Sequence, residues 1–182
     1  MSTPFQQRKA ALAYYRYDQT GDGLIREEDF ALMGDRVAQS LGLQPGADRY
    51  DQVVQGMHLI WDAYFATSAK ESNGVVTLQQ NLAMVENFLA HPNAWQMARD
   101  VNLPIFKAID VTGDGTISLA EYSAFVTALG ASTEEAQAAF EHLDRDSNGS
   151  LSPTEVADAW TEYYQADNRS AAGNHFYGTG KM

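Results

Sequence analysis

The sequence predicts an all-α protein built from four helix–loop–helix units that associate in two pairs. The first observation is a repeat, because similar twelve-residue acidic loops occur at residues 18–29, 110–121 and 144–155. The second is the presence of apolar residues at helical spacing on both sides of each loop. The third is composition: 45% of the 182 residues are hydrophobic, which is enough for a substantial core without disulfides.

Helices are predicted in order before and after each loop. Tyr14 and Tyr17 indicate a helix that enters the first loop, and Phe30, Met33 and Val37 indicate the helix that leaves it. The later loops have equivalent residues: Ile105, Phe106 and Ile109 before and Tyr122, Phe125, Val126 and Leu129 after the second, then Phe140 and Leu143 before and Val156, Trp160 and Tyr163 after the third. Each loop therefore joins two amphipathic helices.

The three loops carry oxygen ligands suited to calcium, a hard cation that takes six to eight of them. A central glycine such as Gly23 permits the sharp bend that brings the ligands together. The predicted ligands are the side chains of Asp18, Thr20, Asp22 and Asp29 with the carbonyl of Leu24, those of Asp110, Thr112, Asp114 and Glu121 with the carbonyl of Thr116, and those of Asp144, Asp146, Asn148 and Glu155 with the carbonyl of Ser150. One such loop is also typical of an acidic surface turn, but three copies with flanking helices predict three calcium sites.

The first loop differs from the other two at its end. Asp29 closes it where the others have glutamate, and Arg26 stands where Ser118 and Ser152 are expected to hold a water molecule. The shorter aspartate is compatible with calcium bound through one oxygen, or with the smaller magnesium ion, which requires near-octahedral coordination. Alternatively, Asp29 only complements the dipole of the helix that it begins.

Residues 69–80 form the fourth loop, which is predicted to pack without binding calcium. A short strand in each loop needs a partner, so three loops imply a fourth. Ala69 and Gln80 replace the first and last acids, and Lys70 adds a positive charge. We expect Val76 of this loop to pair with Ile25, and Ile117 to pair with Leu151.

This pattern resembles the sarcoplasmic calcium-binding proteins and their bacterial relative calerythrin. The similarity rests on residues 18–23 closed by Asp29, a damaged second loop, two intact later loops, a helix-rich insertion at residues 35–60 and the segment 173–178. It implies four EF-hands in two pairs that face each other in a compact body, the second hand being degenerate. The corresponding domains are residues 1–90 and 91–166, followed by a tail at 167–182. It also implies a calcium buffer or transporter.

Charge and composition argue against several other functions. The net charge of −12 disfavours nucleic-acid binding, and without the nine carboxylates at predicted ligand positions it would be −3. Without cysteine there is no disulfide or thiolate chemistry, and no catalytic set of nucleophile, base and orienting residue is found, so we expect no enzyme. No apolar run reaches ~18 residues and the N-terminus lacks a signal peptide. We expect a cytoplasmic monomer without a membrane span.

Three functions fit these loops. A buffer or store hides its apolar surface, whereas a sensor exposes a methionine-rich groove to a protein target; a third class encloses an apolar small molecule. Scattered methionines favour the buffer: Met33, Met57, Met84 and Met97. His58, Trp61 and Tyr64 are similar to the ligand-holding sets of the calcium-triggered photoproteins, which resemble this family, but we interpret them as core residues of one helix face. Val156 also replaces the histidine those proteins have before Trp160.

The C-terminal tail offers a second argument for the buffer. Its glycines, including Gly173 and Gly178, are typical of a frayed terminus. Phe176 and Tyr177 are nevertheless two large aromatic residues whose burial would be worth several kcal/mol, on the order of 2–3 each. We predict that they fold back and fill a groove between the two EF-hand pairs, so that no target helix can enter.

Overall fold

A computed structural model describes residues 2–178, apart from the side chain of Met97; Met1 and residues 179–182 of the predicted tail lie outside the described residues. The elements are α1 (Pro4–Tyr17), α2 (Glu27–Ser40), α3 (Asp48–Ile60), a π-helical segment (Trp61–Phe65), α4 (Ala66–Lys70), α5 (Leu78–Ala90), α6 (Ala94–Ile109), β1 (Ile117–Ser118), α7 (Leu119–Ala128), α8 (Thr133–Leu143), β2 (Ser150–Leu151), α9 (Pro153–Gln165) and a 3₁₀ turn (Ala172–His175). No helix within residues 2–178 has the combination of length and apolar character that a membrane span requires. The predicted all-α fold is confirmed.

Short β-contacts join the loops in two pairs, as predicted. Strands β1 and β2 are antiparallel, with Ile117 opposite Leu151. In the other pair Ile25 and Val76 form a single antiparallel bridge, and each N–H donates to the partner's carbonyl at 3.0 and 2.9 Å. The degenerate loop therefore satisfies the backbone of the first loop, which is the role predicted for it.

Side-chain caps explain where several helices begin. The Thr3 hydroxyl accepts from the N–H of Gln6, the Gln6 side chain accepts from the N–H of Thr3, and Pro4 occupies the first helical position of α1. Ser132 and Glu135 form the same capping box at α8. Such boxes satisfy N–H groups that have no partner inside the helix.

The α3 helix crosses both α2 and α6 at very short distance. A Cβ atom at Gly34 of α2 would lie 2.8 Å from Val54 Cα, and one at Gly56 of α3 would lie 2.9 Å from Ala108 Cβ. Glycine is required at both crossings because any side chain would force the helices apart. The insertion predicted at residues 35–60 thus forms one of the contacts between the two halves of the chain.

The π-helical segment changes which residues share a face. Trp61 is buried, whereas Tyr64 lines a cavity described below. His58 lies outside the core, with Nε2 3.0 Å from Glu27 Oε1 and Nδ1 3.5 Å from Asp62 Oδ2. The extra residue in the helical turn begins at Trp61 and shifts the register of the residues that follow it. The predicted common face of His58, Trp61 and Tyr64 is wrong for His58, whose ring lies beside two carboxylates outside the core.

The described part of the tail is docked against the core. Phe176 and Tyr177 are buried, as predicted, and the hydroxyl groups of Tyr177 and Tyr17 are hydrogen-bonded. A Cβ atom at Gly173 would lie 2.5 Å from the carbonyl oxygen of Ala159, so only glycine allows this close approach to α9.

A buried lysine of the first helix holds the same segment. Lys9 has no exposed surface. Its ammonium group donates to Asn174 Oδ1 at 2.7 Å and to the carbonyl of Ala166, the C-cap of α9, at 2.8 Å. Lys9 thereby connects α1, the end of α9 and the tail through polar contacts that compensate its burial.

Candidate metal centre

The three acidic loops begin with the same backbone geometry. Asp18, Asp110 and Asp144 are the C-caps of α1, α6 and α8, with φ/ψ of −70°/82°, −65°/79° and −73°/83°. Each N–H still donates to the carbonyl four residues earlier. Ala69, the equivalent residue of the degenerate loop, instead remains inside α4. The chain leaves the helix at the first predicted ligand only where that ligand is an acid.

The first acid of each loop accepts hydrogen bonds from the loop backbone. In the first loop, the N–H groups of Gly21 and Gly23 each donate to Asp18 at 2.8 Å, through Oδ1 and Oδ2. Gly113 and Gly115 donate to Asp110 in the same way, at 2.7 and 3.0 Å. In the last loop the donors to Asp144 are the N–H groups of Asn148 and Gly149, at 3.0 and 2.8 Å. Gly23 has φ of 84°, a left-handed conformation that favours glycine at the bend.

The closing acids of the intact loops point back over their own loops. Glu121 accepts from the N–H groups of Thr112 and Ser118 at 3.1 and 2.9 Å, and Glu155 accepts from those of Arg145 and Ser152 at 2.9 Å each. Desolvation raises the pKa of Glu155, but hydrogen bonds led by those from Ser152 outweigh it and leave the pKa lowered. The carboxylate is therefore charged at neutral pH and available to a cation.

Asp29 reaches the equivalent position in the first loop despite its shorter side chain. Its two oxygens accept from the N–H groups of Thr20 and Arg26 at 2.9 and 2.7 Å, and its side chain is fully buried. It therefore does more than complement a helix dipole, because it closes the loop through the same kind of contacts as Glu121 and Glu155.

The last loop has its acidic groups already gathered. One carboxylate oxygen from each of Asp144, Asp146 and Glu155 lies within 4.8 Å of the others. Among the described residues, loops 18–29 and 110–121 do not bring three acidic groups together in this way. The donor set of loop 144–155 fits a hard divalent cation, which requires several carboxylates from one short turn.

In the first loop, the predicted ligand Asp22 forms an ion pair with Arg26. The Arg26 guanidinium donates to Asp22 Oδ2, and this hydrogen bond is the main reason why the pKa of Asp22 is lowered. Asp114 of the second loop accepts instead from the N–H and hydroxyl of Thr116, both at 2.8 Å. Arg26 therefore competes with any metal ion for Asp22.

Arg26→Ser is expected to tighten calcium binding at loop 18–29 by about threefold, because an exposed ion pair, which contributes little to stability, no longer has to be broken. Calcium titration by calorimetry checks this result. Arg99→Ser is the control for the lost charge, because exposed Arg99 pairs with Asp158 on α9 and lies outside all predicted sites. Unchanged affinity in Arg26→Ser, or equal tightening in both variants, would contradict the competition.

Polar groups of the degenerate loop form hydrogen bonds with one another. Gln80 Oε1 accepts from the N–H and hydroxyl of Thr77 at 2.9 and 2.8 Å, while its Nε2 donates to the Ser72 hydroxyl. The Gly74 N–H donates to the carbonyl of Ala69 at 2.8 Å. The amide of Gln80 and the carbonyl of Ala69 thus replace the last and first acids of the other loops.

Arg49 is a residue at loop 110–121 that the sequence did not reveal. It lies on α3, and its Nη2 donates to the carbonyls of Lys107, at 3.0 Å, and of Asp110, the first predicted ligand. Lys107 and Asp110 are 58 and 61 residues away along the chain, so no local motif connects them with Arg49. Carbonyls at a helix C-terminus need such external donors.

An apolar cavity of about 280 Å³, partly open to solvent, lies between α1, the π-helical segment, α5 and α9. Met84, Val85, Phe88 and Trp160 are among its lining residues. The Tyr64 hydroxyl is buried and has no hydrogen-bond partner among residues 2–178. The sequence-based interpretation of Tyr64 as a simple core residue missed this unsatisfied group.

The chain is similar to several known proteins. The EF hand family model matches residues 104–126. Calerythrin of Saccharopolyspora erythraea is 26% identical over 168 residues, covering 90% of this chain and 94% of calerythrin. The calcium-loaded apo form of the coelenterazine-binding protein from Renilla muelleri superposes with a TM-score of 0.77 at 25% identity, covering 97% of this chain and 99% of that one. A sarcoplasmic calcium-binding protein from amphioxus shares the fold, with a TM-score of 0.72, 20% identity and 98% coverage of both chains.

Proposed function

We propose that this chain, an EF-hand protein that resembles calerythrin and the sarcoplasmic calcium-binding proteins, binds three calcium ions and acts as a calcium buffer or store. The observation that carries the proposal is the shared geometry of loops 18–29, 110–121 and 144–155. Each leaves its helix at an acid and closes with an inward-facing acid. The first loop belongs to the pair in residues 1–90 and the other two to the pair in residues 91–166.

The predicted ligands differ in what they offer to a cation. Glu121 and Glu155 each have two oxygens turned over the loop, an arrangement suited to bidentate binding of calcium. The shorter Asp29, and the engagement of Asp22 by Arg26, support a weaker first site that also admits magnesium. A bound divalent ion would neutralise the mutual repulsion of the three carboxylates in each loop.

The docked tail supports a buffer over a sensor. Phe176 and Tyr177 line the apolar space between α1, α6, α7 and α9, together with Tyr17 and Trp160. A sensor needs such a surface for a target helix. Since residues of the chain itself already cover this surface, calcium binding is expected to expose little of it.

Calorimetric titration of the metal-free protein is the decisive experiment, and it should give three calcium sites. Glu121→Gln and Glu155→Gln should each remove one, because an amide cannot replace bidentate carboxylate coordination. Glu71→Gln is the matched control, since Glu71 lies in the degenerate loop and its loss should leave three. Two or four sites in the unmodified protein would contradict the proposal.

A second function, the holding of an apolar small molecule, is favoured by the cavity of about 280 Å³ and by the unpartnered Tyr64 hydroxyl within it. The similar Renilla muelleri protein is a coelenterazine-binding protein. A guest of this kind would contact the ring of Trp160, which lies 6.1 Å from that of Tyr64, and its polar group would satisfy the phenol.

Coelenterazine itself is the probe for this second function, with quenching of tryptophan emission as the signal. Tyr64→Phe should weaken binding about fivefold through the lost hydrogen bond of ~1 kcal/mol. Val85→Trp should abolish it by filling the cavity, whereas Leu119→Trp, at a position with 38% of its surface exposed, should not. Absence of saturable quenching in the unmodified protein would exclude this function for coelenterazine.

A further inference from the structure

The α3 helix is fixed to the helix that leaves the first loop. At the Gly34–Val54 crossing the backbones of α2 and α3 are in contact, since even a Cβ atom at Gly34 would lie 2.8 Å from Val54 Cα. The Tyr50 hydroxyl adds a hydrogen bond to Asp35 Oδ1 at 2.8 Å. Close-packed helices of this kind have no free space in which to slide independently. A displacement of α2 must therefore also displace α3.

The other side of α3 is fixed to the helix that enters loop 110–121. Gly56 lies against α6, where a Cβ atom would be 2.9 Å from Ala108 Cβ. Arg49 extends this contact to the end of α6 by donating to the carbonyls of Lys107 and Asp110. Since Asp110 is the first predicted ligand of the loop, a residue of the N-terminal half positions the backbone of a site in the C-terminal half.

The first loop has a direct connection to the same helix pair. Its closing acid, Asp29, lies in the first turn of α2, five residues before Gly34. Its carboxylate accepts hydrogen bonds from the N–H groups of Thr20 and Arg26. A cation in this loop would fix Asp29, and with it the start of α2. From there the contacts continue through α3 to the carbonyl of Asp110.

We propose that α3 couples the two sites, so that calcium in loop 18–29 raises the calcium affinity of loop 110–121, and that Arg49 is the positioning residue for this coupling. The inference rests on the calcium-binding function proposed above. Coupling requires that occupancy of one site biases the geometry of the other. Arg49 supplies that bias through its hydrogen bonds from α3 to the carbonyls of Lys107 and Asp110. This effect of Arg49 is stronger when an ion in loop 18–29 has already ordered α2 and α3.

A double-mutant cycle in a Glu155→Gln background, where only loops 18–29 and 110–121 remain, tests this coupling. Calorimetry measures the calcium affinity of loop 110–121 with the first loop intact or inactivated by Asp18→Asn. With Arg49 present, we expect Asp18→Asn to lower that affinity about fivefold. In Arg49→Ala the affinity should already be lowered, and Asp18→Asn should lower it no further.

Two further variants make the result specific. Arg49→Lys should retain only part of the coupling, because one ammonium group does not reproduce the fixed donor geometry of a guanidinium. Arg99→Ala removes a cation from α6 itself, at an exposed position paired with Asp158, and should leave the coupling at about fivefold. Melting curves in calcium establish that each variant is folded; should Arg49→Ala fail to fold, Arg49→Lys decides the question alone.

The outcomes separate the coupling from the underlying function. An unchanged affinity of loop 110–121 after Asp18→Asn, or full coupling retained without Arg49, would overturn the inference while leaving both sites in place. If the Glu155→Gln protein binds no calcium at loop 110–121, the proposed function fails instead. Loss of coupling in the Arg49 variants together with its retention in Arg99→Ala is the result expected from the contacts of α3.

Discussion

Saturating calcium should raise the melting temperature of this protein by about 20 °C or more relative to the protein in chelator. Without a cation, nine carboxylates are crowded into three short loops, and the hydrogen bonds from loop N–H groups offset their repulsion only in part. Each ion that binds the native state alone adds ~4 kcal/mol at a thousandfold excess over its dissociation constant. For a chain of this size, each kcal/mol corresponds to about 2–4 °C.

Scanning calorimetry with calcium, with magnesium and with chelator measures this effect. The increase with magnesium should be smaller, because only the first loop is suited to the smaller ion. In Glu121→Gln combined with Glu155→Gln, less than a third of the calcium effect should remain, because loop 18–29 is the weaker site. Coincident melting curves in calcium and in chelator would refute occupation of these loops.

Tyr177→Ala is expected to have the largest effect of any single substitution in the tail, lowering the free energy of unfolding by about 3–5 kcal/mol. Tyr177 is 2% exposed, its ring lies 4.9 Å from that of Tyr163, and its hydroxyl bonds to that of Tyr17. Removal of the Tyr177 side chain leaves a cavity between α1 and α9 and takes a hydrogen-bond partner from the Tyr17 hydroxyl. The variant should also bind more of an apolar dye in calcium while keeping three calcium sites.

Tyr15→Ala is the matched control, since Tyr15 lies on the same helix as Tyr17 but is 57% exposed. It should change the free energy of unfolding by less than about 0.5 kcal/mol. A Tyr177→Ala protein that melts like the unmodified one and binds no extra dye would contradict the role of the tail in covering the core. The tail would then no longer favour a buffer over a sensor.

Features that depend on local spacing were predicted correctly from the sequence. The turn at each central glycine fixes which residues follow it, so the pairing of Ile25 with Val76 and of Ile117 with Leu151 could be inferred from the alignment of the loops. The ligand assignments rest on the same spacing and stay predictions until calcium binding to each loop is measured. The ligand positions of a loop lie within twelve consecutive residues, and they can therefore be predicted from local sequence.

Features that depend on contacts between distant residues could not be predicted. Lys9 appears in the sequence as an ordinary surface charge of an amphipathic helix, but its partners are 157 and 165 residues away. Arg49 and its carbonyl acceptors have the same property. The π-helical segment breaks the period of 3.6 residues on which face assignments rely. His58 was misplaced because its partner Glu27 is 31 residues away. Only tertiary packing determines these positions.

The contacts of Lys9 and Tyr17 with the tail also determine the order in which the protein is expected to fold. Contacts between residues about 160 positions apart carry the greatest loop-closure entropy and form late. Each EF-hand pair depends mainly on contacts of shorter range, and can therefore form before residues 173–178 dock. A chain emerging from the ribosome would then have folded calcium loops while Tyr17 is still uncovered. During synthesis, the apolar core closes only as the final step.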